Sequence, residues 1–101
     1  MVRMLAIEKE LGKAIEGDAN GLLEREARRA WELYQSGIFR EIYFMESRPI
    51  AVILMEAENA EDAKKALDSL PLVAGGYIDF DIFPLRAYPG FGRLFKDGAG
   101  P

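Results

Sequence analysis

The stretch Ile78-Asp79-Phe80-Asp81-Ile82-Phe83 limits this chain more than any other. Its apolar side chains recur with a period of two, the period of a strand and not of a helix. Upstream, Leu70-Pro71-Leu72 reads as a helix stop, because proline lacks the N–H a helix interior needs. Ala74-Gly75-Gly76 reads as a turn, and Pro84 to Phe91 as an extended aromatic tail. A strand from Tyr77 to Leu85 therefore closes the fold. Ile78, Phe80 and Ile82 line one face of it; Asp79, Asp81 and Phe83 line the other. Such a strand needs paired neighbours at its edges and a cover for its apolar face.

The upstream sequence supplies both. Val2 to Ile7 is a short apolar run and reads as a first strand, followed by a charged loop from Glu8 to Gly17. Asn20 or Asp18 is placed to cap a first helix, and Gly37 to end it in the left-handed conformation. Leu23, Ala27, Ala30, Trp31 and Tyr34 fall at helical spacing and form its apolar stripe. Ile38 to Met45 is β-branched and aromatic, hence a strand, with Phe39, Glu41, Tyr43 and Met45 on one face and Arg40, Ile42 and Phe44 on the other. Glu46-Ser47-Arg48-Pro49 reads as a hairpin turn. Ile50 to Glu56 returns as a nearly all-apolar strand, which implies burial on both faces. Asn59 caps a second helix whose stripe is Ala60, Ala63, Leu67 and Leu70, and Pro71 ends it. The order β-α-β-β-α-β predicts a ferredoxin-like α+β subunit, one domain over residues 1–95, with a flexible end over 96–101.

Two helices cover one face of such a sheet. Phe83, Tyr43 and Met45 compete for the other face and make it too apolar for water, so the pattern predicts sheet-to-sheet pairing of two copies.

Composition excludes several chemistries. Among 101 residues there is no cysteine and no histidine. Thiol catalysis, disulfides and the commonest general base and zinc ligand are therefore absent. Acid–base work falls to Asp, Glu, Lys or Tyr, and neither a metal nor a cofactor is expected. The net charge of -4 argues against nucleic-acid binding, which depends on clustered basic residues. No apolar run approaches the ~20 residues that span a bilayer. No leader is legible, so a cytoplasmic protein with no membrane partner is the expectation.

The chain resembles the muconolactone delta-isomerase family. The likeness rests on Arg25-Glu26, Glu32-Leu33, Gly37 and Arg40, then Glu56 closing the third strand, Leu70-Pro71-Leu72, Tyr77 with Asp79, Pro84-Leu85 and Pro89. It covers roughly residues 20 to 90. Departures mark a separate branch: extra residues between Leu72 and Tyr77, Glu41 and Tyr43 where the family tends to have His and Trp, and Tyr88 in place of His before Pro89. The resemblance implies a dimeric α+β barrel, at least a homodimer. It also implies a double-bond shift in a small unsaturated lactone-like or anionic substrate.

That reaction needs a group to carry a proton beside a carbonyl and a cation to hold a carboxylate. Glu26, Arg40 and Glu56 are the catalytic candidates. Glu26 lies at the edge of the first helix's stripe, facing either a pocket between helix and sheet or solvent. Arg40 is either the anion anchor or a structural partner of Glu26, Glu56 or an Asp. Glu56 either takes part or caps the sheet edge. Glu41, Tyr43, Asp79 and Tyr88 are the substrate-binding candidates. Glu41 and Tyr43 stand side by side, at a cavity or at a subunit interface. Asp79 pairs along the strand with Asp81, as an acid pair or as a rim, and Tyr88 covers a pocket mouth or crosses to a partner. Arg40 and Glu41 share a face only if a bulge intervenes. Two further readings use the same barrel: a non-catalytic small-molecule-binding protein, and a cofactor-free monooxygenase drawing on Tyr43, Trp31 and Tyr88.

Overall fold

The computed structural model describes residues 1–17 and 19–95. Its elements run β1 (Val2–Glu10), α1 (Leu22–Gln35), β2 (Phe39–Phe44), β3 (Ala51–Ala57), α2 (Ala60–Asp68), a one-turn helix α3 (Pro71–Ala74) and β4 (Ile78–Pro84). The strands form one antiparallel sheet in the order β2-β3-β1-β4. Each β-α-β crossover thus spans one intervening strand, which is the split arrangement the element order predicts.

Alternation assigns the faces. Met4 and Ala6 of β1, Ala51, Ile53, Met55 and Ala57 of β3, and Ile78 and Phe80 of β4 are buried beneath the helices. Leu33 of α1, Ala63 and Leu67 of α2, and Leu70 close this core from above. Ala6 and Ala63 are fully buried, and their small side chains let α2 settle close to the sheet. Asn59 caps α2 as expected, its Oδ1 accepting the Asp62 N–H at 2.8 Å. Gly37 follows α1 at φ 86°, the left-handed conformation expected of it.

Several expectations are corrected. The segment Glu8–Glu10 is strand, not loop, because β4 pairs with it through Lys9↔Asp79 and Glu10↔Ile78. Gly21, at φ 67°, stands at the N-cap of α1 in place of Asn20; the other cap expected, Asp18, lies outside the described residues, as do residues 96–101. Pro71 does more than end α2: it opens α3 as its first residue, where its missing N–H costs nothing. Ala60 is exposed, so α2 buries a shorter stripe.

The stripe of α1 also differs. The buried residues are Leu22 and Leu33, with Glu26 and Ala30 half-buried between them. Trp31 and Tyr34 stand 56% and 48% exposed and stack on each other at 5.7 Å between ring centroids. The helix thus has two apolar faces and the sheet takes only one. β3 buries one face fully, while Val52, Leu54 and Glu56 stay half-exposed on the other, since no described element covers that side.

The last correction is in β2. Phe39 faces Met55 and Glu41 faces Leu54, which leaves Arg40 as an extra, unpaired residue. This bulge puts Phe39 on the helix side of the sheet with Ile42 and Phe44, Phe39 buried and the other two exposed, and Glu41 with Tyr43 on the open face.

Candidate functional site

The inward positions of β1 read Val2, Met4, Ala6, Glu8. Strand alternation therefore delivers a carboxylate to the helix side of the sheet, one step beyond the core. The inward positions of α1 read Leu22, Glu26, Leu33, so a second carboxylate comes down from above. Both line a cavity of about 290 Å³ between α1, α3 and the sheet. Its walls include Ala30, Phe39, Phe44, Ile53, Leu72 and Phe80. Ala27, Ala30 and Ala51 stand where larger side chains would fill the space, which is why a void persists there.

Each acid holds one backbone donor. The Leu72 N–H donates to Glu26 Oε1 at 2.9 Å, and the Ala51 N–H donates to Glu8 Oε1 at 3.0 Å. Burial pushes the Glu26 carboxyl above its ordinary value of 4.5; the Leu72 N–H opposes the rise and the charge of Glu8 adds to it. A carboxyl raised by an apolar pocket is a candidate proton carrier.

The pocket opens beside a cleft of about 580 Å³ that shares Glu8, Leu23, Phe44, Leu72 and Ile78 with it. Lys13 lines that cleft. Its Nζ donates to the Gly75 carbonyl at 3.0 Å and lies 4.4 Å from the centre of the Tyr77 ring.

The other candidates lie elsewhere. Arg40 and Glu56 come together on the open face, Nε to Oε1 at 3.7 Å, and Arg3 binds the same Oε1 at 2.9 Å. The Arg3 hydrogen bond, more than Arg40, holds the Glu56 carboxyl below its ordinary value. This triad is separated from Glu26 by the thickness of the sheet. Glu41 and Tyr43 are paired on that same face, the phenol donating to the Glu41 carboxylate, and this bond raises the phenol's pKa. Asp79 accepts the N–H of Phe80, while Asp81 takes Lys9 at 3.1 Å. Tyr88 is exposed beyond β4 and meets the Phe91 ring edge-on at 5.1 Å.

Glu8 is the pocket residue that the sequence reading missed. Its signal was parity with Val2, Met4 and Ala6, hidden by ending the strand at the first charge. Among the described residues no group of three or more acidic, His or Cys side chains could hold a metal ion, and no helix is long and apolar enough to cross a membrane.

The fold and pocket define a small α+β protein with a split β-α-β sheet and a carboxyl-bearing cavity under its helices. The family model for muconolactone delta-isomerase matches residues 6–90, and the chain belongs to that family. A crystal structure of muconolactone isomerase at 3.3 Å resolution superposes with a TM-score of 0.69 over 88% of this chain and 92% of that one. Identity between the two is 20%, so this likeness is one of fold. No curated protein sequence matches this chain.

Proposed function

We propose that this protein is an isomerase that moves a proton on a small unsaturated lactone or enone, with Glu26 as the proton carrier. The observation that carries this reading is the Glu26 carboxyl, raised by burial in an apolar pocket and steadied by the Leu72 N–H. Membership of the family supplies the reaction class. The ionised Glu26 takes a proton from the carbon beside the carbonyl. The electron pair of that C–H bond delocalises into the carbonyl as a dienolate. Glu26, now an acid, returns the proton at the far carbon, and the double bond has moved. Arg40 and Glu56 fit a structural role on the open face better than one in this step.

The test is double-bond migration in α,β- and β,γ-unsaturated five-membered lactones, followed by absorbance and proton NMR. Turnover is expected on at least one, and Glu26→Gln should lower kcat by about 10²–10⁴-fold. An absence of migration on every lactone and enone tried would overturn the reading.

One observation favours a non-catalytic binding protein instead. Among the described residues lining the pocket, the two acids are the only polar side chains, so none is a dedicated donor for an enolate oxygen. Ligand binding with no turnover in either the native protein or Glu26→Gln is the outcome for that reading. The monooxygenase reading rested on Tyr43, Trp31 and Tyr88, and none of the three lines the pocket.

The proposal includes self-association. Leu5, Ile7, Val52, Leu54, Tyr43 and Phe83 share the open face, rimmed by the Arg3–Glu56 and Lys9–Asp81 pairs. An apolar centre with a charged rim fits a second copy of the same sheet. Light scattering on native protein should give a dimer or larger, and Phe83→Asp with Leu54→Asp should give monomer.

A further inference from the structure

We infer that the Glu8–Glu26 pocket takes a ring bearing an apolar arm, and that the arm leaves between α1 and β2 to lie on the Trp31–Tyr34 pair. This rests on the proposal that the pocket is the ligand site, and it adds a second compartment to that site.

On the α1–β2 side of the pocket lies a groove of about 370 Å³, walled by Ala27, Ala30, Trp31, Tyr34 and Ile42. Three of these residues, Ala27, Ala30 and Ile42, line the pocket as well. The two spaces therefore meet at a neck made of two alanines and an isoleucine. Ala27 and Ala30 have no atoms beyond Cβ, so the helix side of the neck stays open. Ile42 forms the other side because the bulge at Arg40 turns it, with Phe39, toward the helices. β2 is an edge strand, so the sheet itself does not continue past the groove.

The groove is the second apolar face of α1. Trp31 stands one turn beyond Ala27, and Tyr34 one turn beyond Ala30, so the four residues form a continuous stripe. Charges flanking the stripe are paired with each other, Glu24 with Arg28 and Arg29 with Glu32. The two rings stack with 26° between their planes and offer an apolar shelf at the mouth of the neck. An alkyl or aryl arm on a ligand held beside Glu26 would exchange water for these walls. Each methylene fully buried in this way gains up to about fourfold in affinity. A second copy of the chain laid on the groove would cover the shelf and leave the neck empty, forfeiting the contacts that an arm running through it makes.

Trp31 is the only tryptophan in the chain, so its fluorescence reports on the groove. Two butenolides, one with a methyl group and one with an n-hexyl chain at the same ring position, are titrated into the full-length protein. The hexyl compound should bind about tenfold more tightly or better, with the chain partly buried. It should shift the Trp31 emission to the blue, and the methyl compound should not. By calorimetry, Trp31→Ala should cut the hexyl advantage to about threefold or less, and Ala30→Leu, which plugs the neck, should do the same. Equal affinity of the two compounds overturns the inference. So does a hexyl advantage that survives Trp31→Ala with the native emission unmoved, since the arm then lies elsewhere. A Trp31 emission that is already blue in the free protein and reddens on dilution also overturns it, because a second copy then occupies the groove. Binding is read without turnover, so the two proposals fail separately. A Trp31-dependent hexyl advantage without isomerisation defeats the catalytic reading alone. Isomerisation of the methyl compound without a hexyl advantage defeats this one alone.

Discussion

Glu26 on α1 and Glu8 on β1 enter one pocket from opposite walls, and each ties down a different part of the backbone. Glu26 takes the N–H of Leu72 in α3, and Glu8 takes the N–H of Ala51 in β3. The two acids therefore do mechanical work: one anchors α3 to α1, the other pins the edge of the pocket floor.

The raised carboxyl of Glu26 makes stability depend on pH in a definite direction. A folded-state pKa above the unfolded value means the native protein holds the proton longer than the unfolded chain does. Between the two values the native state binds more protons, so stability falls as pH rises. Below the unfolded value the effect vanishes. Glu26→Gln removes the titration and leaves an oxygen for the Leu72 N–H. Its melting temperature should exceed that of the native protein at pH 7 and lose that advantage by about pH 4, the ordinary carboxylate range. Thermal unfolding at both pH values checks this. An equal offset at both would show that Glu26 does not titrate abnormally.

Glu56 should behave in the opposite sense. Its carboxyl is held low chiefly by the Arg3 hydrogen bond, with Arg40 adding a weaker charge effect. Carbon-detected NMR titration should place its midpoint below that of an ordinary glutamate. Arg3→Ala should move it up by more than Arg40→Ala does. The reverse ranking would mean that Arg40 is the main partner.

Much of this fold was legible because strands and helices announce themselves by period. The alternation Ile78, Phe80, Ile82 and the Asn59 cap are local signals, and the structure keeps both. What failed was non-local. Period alone could not say which of two apolar faces of α1 meets the sheet, since Leu22–Leu33 and Trp31–Tyr34 are both helically spaced. Nor could it show that β1 continues through three charged residues, because that depends on β4 lying alongside. Glu26 was named from its place near the stripe. Glu8 was not, because a charge after an apolar run looks like the end of a strand.

The Asn59 cap offers a measure of local stability. Its side chain satisfies the Asp62 N–H at the start of a nine-residue helix whose Ala63 and Leu67 are core residues. Asn59→Ala should cost about 1 kcal/mol. In a domain of this size that corresponds to a fall of about 4–8 °C in melting temperature. Asn59→Asp should retain most of it, because a carboxylate accepts the same N–H and favours the helix N-terminus. Differential scanning calorimetry on the pair decides whether the cap or the asparagine itself matters.

Deleting Arg40 tests the bulge that sets both faces of β2. The ladder pairs Phe39 with Met55 and Glu41 with Leu54, and continues through Ile42–Ile53, Tyr43–Val52 and Phe44–Ala51. With Arg40 removed, these partners follow one another without interruption. Phe39, Ile42 and Phe44 still face the helices, and Glu41 and Tyr43 still face outward. The deletion should therefore fold with the same cross-strand pairs, visible as unchanged contacts between strands in NMR. Its loss of stability should be smaller than that of Phe39→Ala, which empties a site only 1% exposed and costs about 3–5 kcal/mol. The Glu56 midpoint should rise part of the way, since one of its two cations is gone. A deletion variant as unstable as Phe39→Ala would mean that the bulge itself, and not the alternation on either side of it, holds β2 in register.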